Sequence, residues 1–298
     1  MTIPPWLWVV FTLAAATAQT FRNAAQRNLT GTLGTVGATN IRFLFGLPFG
    51  LIALAAVGVL AGPLPVPTLE SLGWAFLGAI TQIAATGLML AAMRERSFVV
   101  TTAYTKTEPV QIAIFAVVFL GETVSLALAV AIVIATVGVV VLSWPSRAGN
   151  EVFSWRPAIL GIVSGGLFAM AAVSFRGAIV ALDAGYLQAA TVTLGVSLSM
   201  QTVMLTAWLQ FRDPGVLKAI AAHWRQSLAA GFLGAFASEM WFLAFAIKGP
   251  AAVRTLGLVE ILIAGVISRS LFRQGLSARD IIGMLLVVGG IALLFGAA

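Results

Sequence analysis

The chain of 298 residues is 60% hydrophobic and only 9% charged, with a mean hydropathy of +1.03. So few charged groups cannot cover a soluble globule of this size, and the composition therefore predicts a membrane protein. The net charge of +7 comes from basic residues that lie between apolar runs. This placement favours anionic lipid over nucleic acid as a partner. The absence of cysteine excludes disulfides and thiol chemistry.

Windows of roughly 20 apolar residues predict ten transmembrane helices, so the expected fold class is an all-α membrane protein. The windows lie at residues 6–26, 34–60, 71–93, 97–119, 123–143, 158–180, 187–210, 225–248, 250–270 and 278–296. A polar stretch with Pro and Gly follows the fifth window and is typical of a linker. The expected units are residues 1–145, a linker over 146–157, and residues 158–298.

The two units repeat each other in sequence. A shift of 152 residues lays residues 97–125 on residues 249–277, so that Glu108 falls on Glu260. Other helices of the two halves correspond in the same order under shifts of 154 and 156 residues. Because each half has an odd number of spans, the second half would enter the membrane from the opposite side. The sequence thus predicts two inverted five-helix repeats, as in many secondary transporters.

The distribution of basic residues predicts an orientation. The even-numbered connections hold only Arg176 and Lys248. The odd-numbered connections hold Arg22, Arg27, Arg94, Arg96, Arg147, Arg156, Arg212, Lys218, Arg225, Arg269, Arg273 and Arg279. By the positive-inside rule the odd-numbered connections are cytoplasmic, and both termini would face outward.

Six charged residues fall within the predicted spans: Arg42, Lys106, Glu108, Glu239, Arg254 and Glu260. Each costs about 3 kcal/mol at the bilayer centre, so each is expected to face a partner or a water-filled cavity. Three bases and three acids allow complete internal pairing, and they also suit a substrate path. We expect structural ion pairs from the bases Arg42, Lys106 and Arg254.

The fourth helix is predicted to present one polar face. At about 100° per residue, Tyr104, Glu108 and Gln111 share this face with Thr101 and Phe115, whereas Lys106 points nearly opposite to Tyr104. Such a face suits a pocket for a small polar molecule with an apolar part. Lys106 is accordingly expected to lock this helix to another one.

Two prolines predict a difference between the halves. Pro109 has no N–H to donate to the carbonyl four residues before it, so it is expected to break the helix beside Glu108. Pro250 stands in the first turn of the ninth helix, where proline is ordinary, so that helix is expected to be straighter.

Other helices contribute polar stripes at helical spacing. The first carries Gln19, Arg22, Asn23 and Gln26, and the third carries Gln82, Thr86, Met89 and Met93. Trp241 lies deeper in its span than most tryptophans, which makes it a candidate for stacking on a ligand. The expected substrate-binding residues are Gln19, Gln82, Tyr104, Glu108, Glu239, Trp241 and Glu260, and the glutamates would bind an amino group.

The chain lacks the motifs of catalysis and of cofactor binding. There is no HExxH, no GxSxG, no phosphate-binding glycine loop, and no cluster of histidines and carboxylates at metal-ligand spacing. We therefore expect no enzyme activity, no cofactor and no metal.

Residues 119–125, FLGETVS, resemble the end of the fourth helix in the drug/metabolite transporter superfamily, in its ten-helix EamA branch. Residues 283–290, GMLLVVGG, are similar to the last helix of that family. The second half departs from the pattern, since it has Arg273-Gln274 where the first half has Gly121-Glu122.

The resemblance implies a multi-pass carrier of a bacterial inner membrane that moves metabolites by alternating access. Amino acids are the commonest substrates of this branch, and the YddG-type exporters of aromatic amino acids are the nearest model. The resemblance also implies cytoplasmic termini, opposite to the charge distribution of this chain.

Three functions remain open on the sequence. The first is a monomeric exporter or facilitator of small zwitterions such as amino acids, with lipid as its other partner. The second is a proton-coupled exporter of cationic drugs, in which one intramembrane acid is unpaired. The third is a channel or a scaffold that transports nothing.

Overall fold

The computed structural model describes residues 4–95, 101, 104–143, 155–262 and 278–296. This part of the chain is helical, without strands. Its helices are α1 (Leu7–Leu44), α2 (Leu47–Leu60), α3 (Leu69–Glu95), α4 (Glu108–Leu120), α5 (Leu126–Ser143), α6 (Trp155–Val180), α7 (Tyr186–Arg212), α8 (Pro214–Ala222), α9 (Trp224–Ile247), α10 (Pro250–Leu256) and α11 (Ala278–Gly296). Most of the predicted linker, the end of the ninth window, Arg96, Arg147, Arg269, Arg273 and Gln274 lie outside the described residues.

Apolar helices with a polar interior confirm the expectation of a multi-pass membrane protein. Five helical stretches are long and apolar enough to cross a membrane, namely Leu7–Leu60, Leu69–Glu95, Trp155–Val180, Tyr186–Arg212 and Trp224–Ile247, and three shorter apolar helices accompany them. Val59, Leu69 and Phe211 are each more than 80% exposed, whereas many threonines, glutamines and charged residues are buried. An exposed surface of large apolar side chains is favourable in contact with lipid and unfavourable in contact with water.

The first helix is longer than predicted. It continues past residue 26 and is interrupted at Gly34, whose φ of 66° favours glycine. The Gln26 side chain donates to the Ala38 carbonyl at 2.8 Å, although twelve residues of straight helix would span about 18 Å. The chain therefore turns back at Gly34. The predicted helix end was wrong because the polar stretch bonds its own backbone, as Thr30 does with the Arg27 carbonyl.

The fourth span is broken next to its acid, as Pro109 predicts. The chain is helical at residues 104–105, forms a turn at 106–107, and resumes at Glu108. The Thr107 amide donates to the Tyr104 carbonyl at 3.4 Å, which is the i→i−3 pattern of a tight turn. Pro109 then occupies the first turn of α4, where its missing N–H costs nothing.

The ninth span is broken at the corresponding place, so the prediction of a straighter helix was wrong. Helix α10 ends at Leu256, and Gly257 and Leu258 form a turn before the helix resumes. The Leu258 amide donates to the Thr255 carbonyl at 3.1 Å, again an i→i−3 bond, so a tight turn ends α10 without a proline. In both halves an acid, Glu108 or Glu260, lies just after the break.

The helices of the two described halves pack in reciprocal pairs. The most extensive contacts join α1 to α9, α3 to α6, and α5 to α11. In the predicted repeat, α6, α9 and α11 of the second half correspond to α1, α3 and α5 of the first. If each helix is replaced by its counterpart, the pair α1–α9 becomes the pair α6–α3, and the pair α5–α11 remains the same. A duplication would produce this pattern. The inverted relation of the halves and the unit boundaries remain predictions.

Glycines allow α5 and α11 to approach each other to backbone contact. A Cβ atom on Gly290 would lie 2.7 Å from the Ala135 nitrogen, and one on Gly138 would lie 2.7 Å from the Val287 nitrogen. Gly289 has nothing within 4 Å of such an atom. Small residues are the usual means of close helix packing in membranes.

We predict that Gly290→Ala destabilises the protein by about 1–3 kcal/mol, because the added methyl group meets backbone that cannot move away. Gly289→Ala is the matched control one residue earlier, and it should leave the melting temperature unchanged or slightly raised. Thermal unfolding of both purified variants in detergent measures the difference. Equal melting temperatures would show that α5 and α11 do not touch at Gly290.

Candidate functional site

A narrow internal cavity lies between α1, α3, α6, α10 and the turn before α4. Its volume is about 330 Å³ when space open to the surroundings is included, and the part enclosed by side chains has room only for water. Its walls carry the charged residues Arg22, Lys106, Glu108 and Arg254, the amides Gln19 and Asn23, and the apolar Met89 and Phe168. In this conformation the cavity accommodates water, and a solute needs it to widen.

One ion pair at the cavity is short and well buried. Lys106 Nζ lies 2.5 Å from Glu260 Oε2, and both side chains are less than 10% exposed. Gln19 Nε2 donates to the same oxygen at 3.2 Å. Glu260 thus receives two donors, one of them charged, which offsets the cost of its burial.

A second ion pair is looser. Arg254 Nε lies 3.3 Å from Glu108 Oε1, yet neither atom makes a hydrogen bond. The distance satisfies an ion pair while the angle does not satisfy a hydrogen bond, so the contact is mainly coulombic. Glu108, which lines the cavity, is therefore held less firmly than Glu260, the partner of the lining residue Lys106.

Trp241 joins the two pairs. Its Nε1 donates to Gln19 Oε1 at 3.0 Å, and the Arg254 guanidinium lies 4.1 Å from its ring centroid. Gly257 supports the ring, since a Cβ atom there would lie 2.6 Å from it. The cation covers one face of the indole, so in this state Trp241 holds Arg254 instead of stacking on a ligand as expected from sequence.

The pairs cross between the halves of the chain. Lys106 of the first half neutralises Glu260 of the second, and Arg254 of the second half neutralises Glu108 of the first. The structure thus brings together Gln19, Glu108, Trp241 and Glu260 of the expected binding residues, together with Lys106 and Arg254. Both ion pairs link the two halves across the cavity.

The orientation of the fourth span differs from the expectation. Lys106 and Glu108 both line the cavity, whereas Tyr104 packs on Gly161 and Gln111 on Gly166 of α6. The predicted helical face was wrong because a regular periodicity was applied across the turn at residues 106–107. Tyr104 therefore lies outside the cavity in this conformation.

Two other predicted residues lie away from the cavity. Gln82 accepts a hydrogen bond from Gln201 at 2.7 Å. Glu239 Oε1 lies 2.5 Å from the Thr191 hydroxyl. Neither Gln82 nor Glu239 is among the residues that line the cavity.

Arg42 is buried without an ion pair among the described residues, contrary to the expectation. It donates instead to the hydroxyls of Thr86 at 3.1 Å and Ser238 at 3.4 Å. The described acids are therefore not completely paired with bases, because Glu239 has a hydroxyl as its partner.

Arg22 is the main cavity residue that the sequence did not assign. It was counted among the connections because the first apolar window ends at residue 26, yet the structure buries it to 1% exposure within α1. Its Nη1 atom has no hydrogen-bond partner. The helical stripe of Gln19, Arg22, Asn23 and Gln26 was the available signal. Arg27, assigned to the same connection, also lies within α1 but is exposed, and the orientation of the chain remains a prediction.

A separate cluster ties together the ends of three helices. Arg176 of α6 pairs with Glu122 at 3.1 Å and donates to the Phe245 and Ala246 carbonyls at the end of α9. A Cβ atom on Gly249 would lie 2.6 Å from a Glu122 oxygen. Glu122, the acid of the FLGETVS segment, therefore has a structural contact outside the cavity.

We predict that Lys106→Met costs about 3–5 kcal/mol of stability, because it leaves the Glu260 carboxylate buried and unpaired. The double variant Lys106→Met with Glu260→Gln should recover most of that loss, since both charges are gone. Thermal unfolding of the two single variants and the double variant measures the coupling. Additive losses would contradict a direct pair.

Comparison with known proteins gives a partial match in sequence and a nearly complete match in fold. Residues 6–144 match the model of the EamA-like transporter family. No curated protein sequence matches the chain significantly. One solved crystal structure superposes with a TM-score of 0.68 over 97% of this chain and 99% of its own, at 17% identity. The first half of the chain is thus similar to EamA-like transporters, and nearly the whole chain has a fold already seen in a crystal.

Proposed function

We propose that the protein is an EamA-type carrier that moves small metabolites, amino acids in particular, across a bacterial inner membrane by alternating access. The observation that carries this proposal is the cavity at two broken helices, with ion pairs that cross between the halves. The match of residues 6–144 to a transporter family supports the same class.

The broken helices support transport over a scaffold role. In many carriers, discontinuous helices form the substrate site near the middle of the membrane. Here each break precedes an acid, and each acid contacts a base of the opposite half. A movement of one half against the other therefore changes the surroundings of both acids. The reciprocal packing of α1 with α9 and of α3 with α6 supports two halves of equivalent construction.

The chemistry of the cavity supports a zwitterionic solute with an apolar part. Its walls offer fixed charges of both signs, amide groups, and the side chains of Met89 and Phe168. Pockets of this kind orient a ligand by a few polar groups and hold its remainder by apolar contact. We infer that Glu108 receives the amino group, because its pair with Arg254 is the less well aligned of the two.

The test is transport of each of the twenty amino acids into liposomes that contain the purified protein. We expect uptake of at least one of them above the rate of empty liposomes. If none moves faster than in empty liposomes, the substrate class is wrong.

Glu108→Gln should lower this uptake about tenfold or more, since a charge-assisted contact to the solute is lost. Glu70→Gln is the matched control, because Glu70 is an exposed acid at the start of α3. It should transport at the rate of the unaltered chain. Equal losses in the two variants would mean that Glu108 does not act at a substrate site.

One observation favours a second candidate, a proton-coupled exporter of cationic solutes. Glu239 has no basic partner among the described residues, and its Oε2 makes no hydrogen bond. The Thr191 hydroxyl lies 2.5 Å from Glu239 Oε1 and 2.8 Å from the Leu187 carbonyl. A hydroxyl has one hydrogen and cannot donate to both oxygens. A protonated Glu239 would donate to Thr191 and leave the hydroxyl hydrogen for Leu187.

On this second candidate, Glu239→Gln abolishes coupling to a pH gradient, because glutamine can donate to Thr191 but carries no titrating proton. Transport into liposomes with and without an imposed pH gradient measures the effect. A variant that still responds to the gradient as the unaltered chain does would exclude Glu239 as the coupling group.

A further inference from the structure

Arg22 is a buried cation with unused hydrogen-bonding capacity at the cavity wall. Its Nε and Nη2 atoms donate to the single oxygen Asn23 Oδ1 at 3.2 and 2.7 Å. Its Nη1 atom makes no hydrogen bond, although the residue is 1% exposed and lines the cavity. A buried guanidinium N–H group without a hydrogen bond costs free energy, so a hydrogen-bond acceptor beside Nη1 would stabilise the protein.

The charges around the cavity do not balance. Arg22, Lys106 and Arg254 are positive, and the acids Glu108 and Glu260 already contact Arg254 and Lys106. No described carboxylate lies within ion-pair distance of Arg22. Glu260 does not itself line the cavity, but it neutralises the lining residue Lys106, so that one positive charge, that of Arg22, remains without a contacting acid. A negative group that enters the cavity would neutralise it.

We propose that Arg22 binds an anionic group of the transported solute, specifically a carboxylate. Asn23 occupies the edge of the guanidinium formed by Nε and Nη2 and fixes the plane of the group. The edge formed by Nη1 and the second hydrogen of Nη2 remains for the two oxygens of a carboxylate. This inference rests on the proposed transport function and specifies which chemical group of the solute the site recognises.

One small residue, Gly234, lies against the side chains of Arg22 and Arg42. A Cβ atom on Gly234 of α9 would lie 3.0 Å from Arg42 Cγ and 3.5 Å from Arg22 Cδ. Both arginines therefore cross over the same glycine, where α1 packs on α9. Arg42 has hydroxyl partners on α3 and α9, whereas Arg22 holds only the neighbouring amide. Each arginine keeps one atom without a hydrogen bond, Nη1 in Arg22 and Nε in Arg42, but of the two only Arg22 lines the cavity.

The experiment compares solutes that differ only in one charged group. L-phenylalanine, phenethylamine and 3-phenylpropionate form one series, and L-alanine, ethylamine and propionate form another. Thermal stabilisation of the purified protein reports binding, because a ligand of the folded state raises the melting temperature. We expect the carboxylate-bearing members of a series to stabilise the protein and the amines to have no effect.

Arg22→Gln should weaken binding of the carboxylate-bearing solutes about 10- to 100-fold, the effect of losing one charge-assisted hydrogen bond. Arg22→Lys should restore part of the affinity. Arg27→Gln is the matched control, since Arg27 is an exposed arginine of the same helix, and it should bind as the unaltered chain does. Without ligand, Arg22→Gln should melt at the same temperature as the unaltered chain or at a higher one, because a buried unpaired charge is removed. A large fall in the melting temperature would show that Arg22 has a structural role instead, and it would overturn the inference.

The outcomes separate this inference from the proposed function. Amino acid transport that is identical in Arg22→Gln and the unaltered chain would overturn the inference and keep the function. Binding of propionate or 3-phenylpropionate that depends on Arg22, without transport of any amino acid, would keep the inference and overturn the function. Amines that bind as tightly as the matching amino acids would also overturn the inference.

Discussion

The two crossed ion pairs are the constraint on which the rest of the structure depends. Lys106 with Glu260 and Arg254 with Glu108 are buried, so neither acid can lose its base without a large cost. Because each pair has one member in each half, this cost binds the halves to each other at the cavity. A carrier that alternates between two openings must keep these contacts as a pivot or exchange them for contacts with the solute.

Backbone geometry places the charges where they can pair. The turns at residues 106–107 and 257–258 start a new helical segment just before each acid. The free amides at a helix N-terminus favour negative charge there, which lowers the cost of burying Glu108. Glycines allow the close helix contacts that complete this arrangement. Gly257 lies against the ring of Trp241, and Gly161 lies against Tyr104. Larger residues at these glycines would displace the ring and the turn that hold the charges.

Hydropathy could predict the membrane class and most helices, because a lipid-facing surface leaves no alternative to apolar runs. Glu108 and Glu260 could be predicted as candidate site residues because burying a charge in a membrane costs free energy. Their partners could not be assigned, since the helical periodicity of the fourth span fails at the turn before Glu108. Arg22 was counted with the first connection because it lies near the end of the first apolar window. In the structure a polar stretch continues α1 beyond that window through local side-chain bonds, which an average over apolar residues does not detect.

The unequal strength of the two ion pairs has a consequence for the binding of a zwitterion. The carboxylate of the solute would neutralise the positive charge of Arg22. The ammonium group of the same solute would then be stabilised by a carboxylate of the protein, either Glu108 or Glu260. Glu260 has two aligned donors, whereas Glu108 has a base at 3.3 Å without an aligned hydrogen bond. On the proposed function, the ammonium group would displace Arg254 from Glu108 at lower cost than it would displace Lys106 from Glu260. Binding would break the contact between Arg254 and Glu108 and keep the ion pair of Lys106 and Glu260. The ion pair that remains would then be the pivot between the two halves.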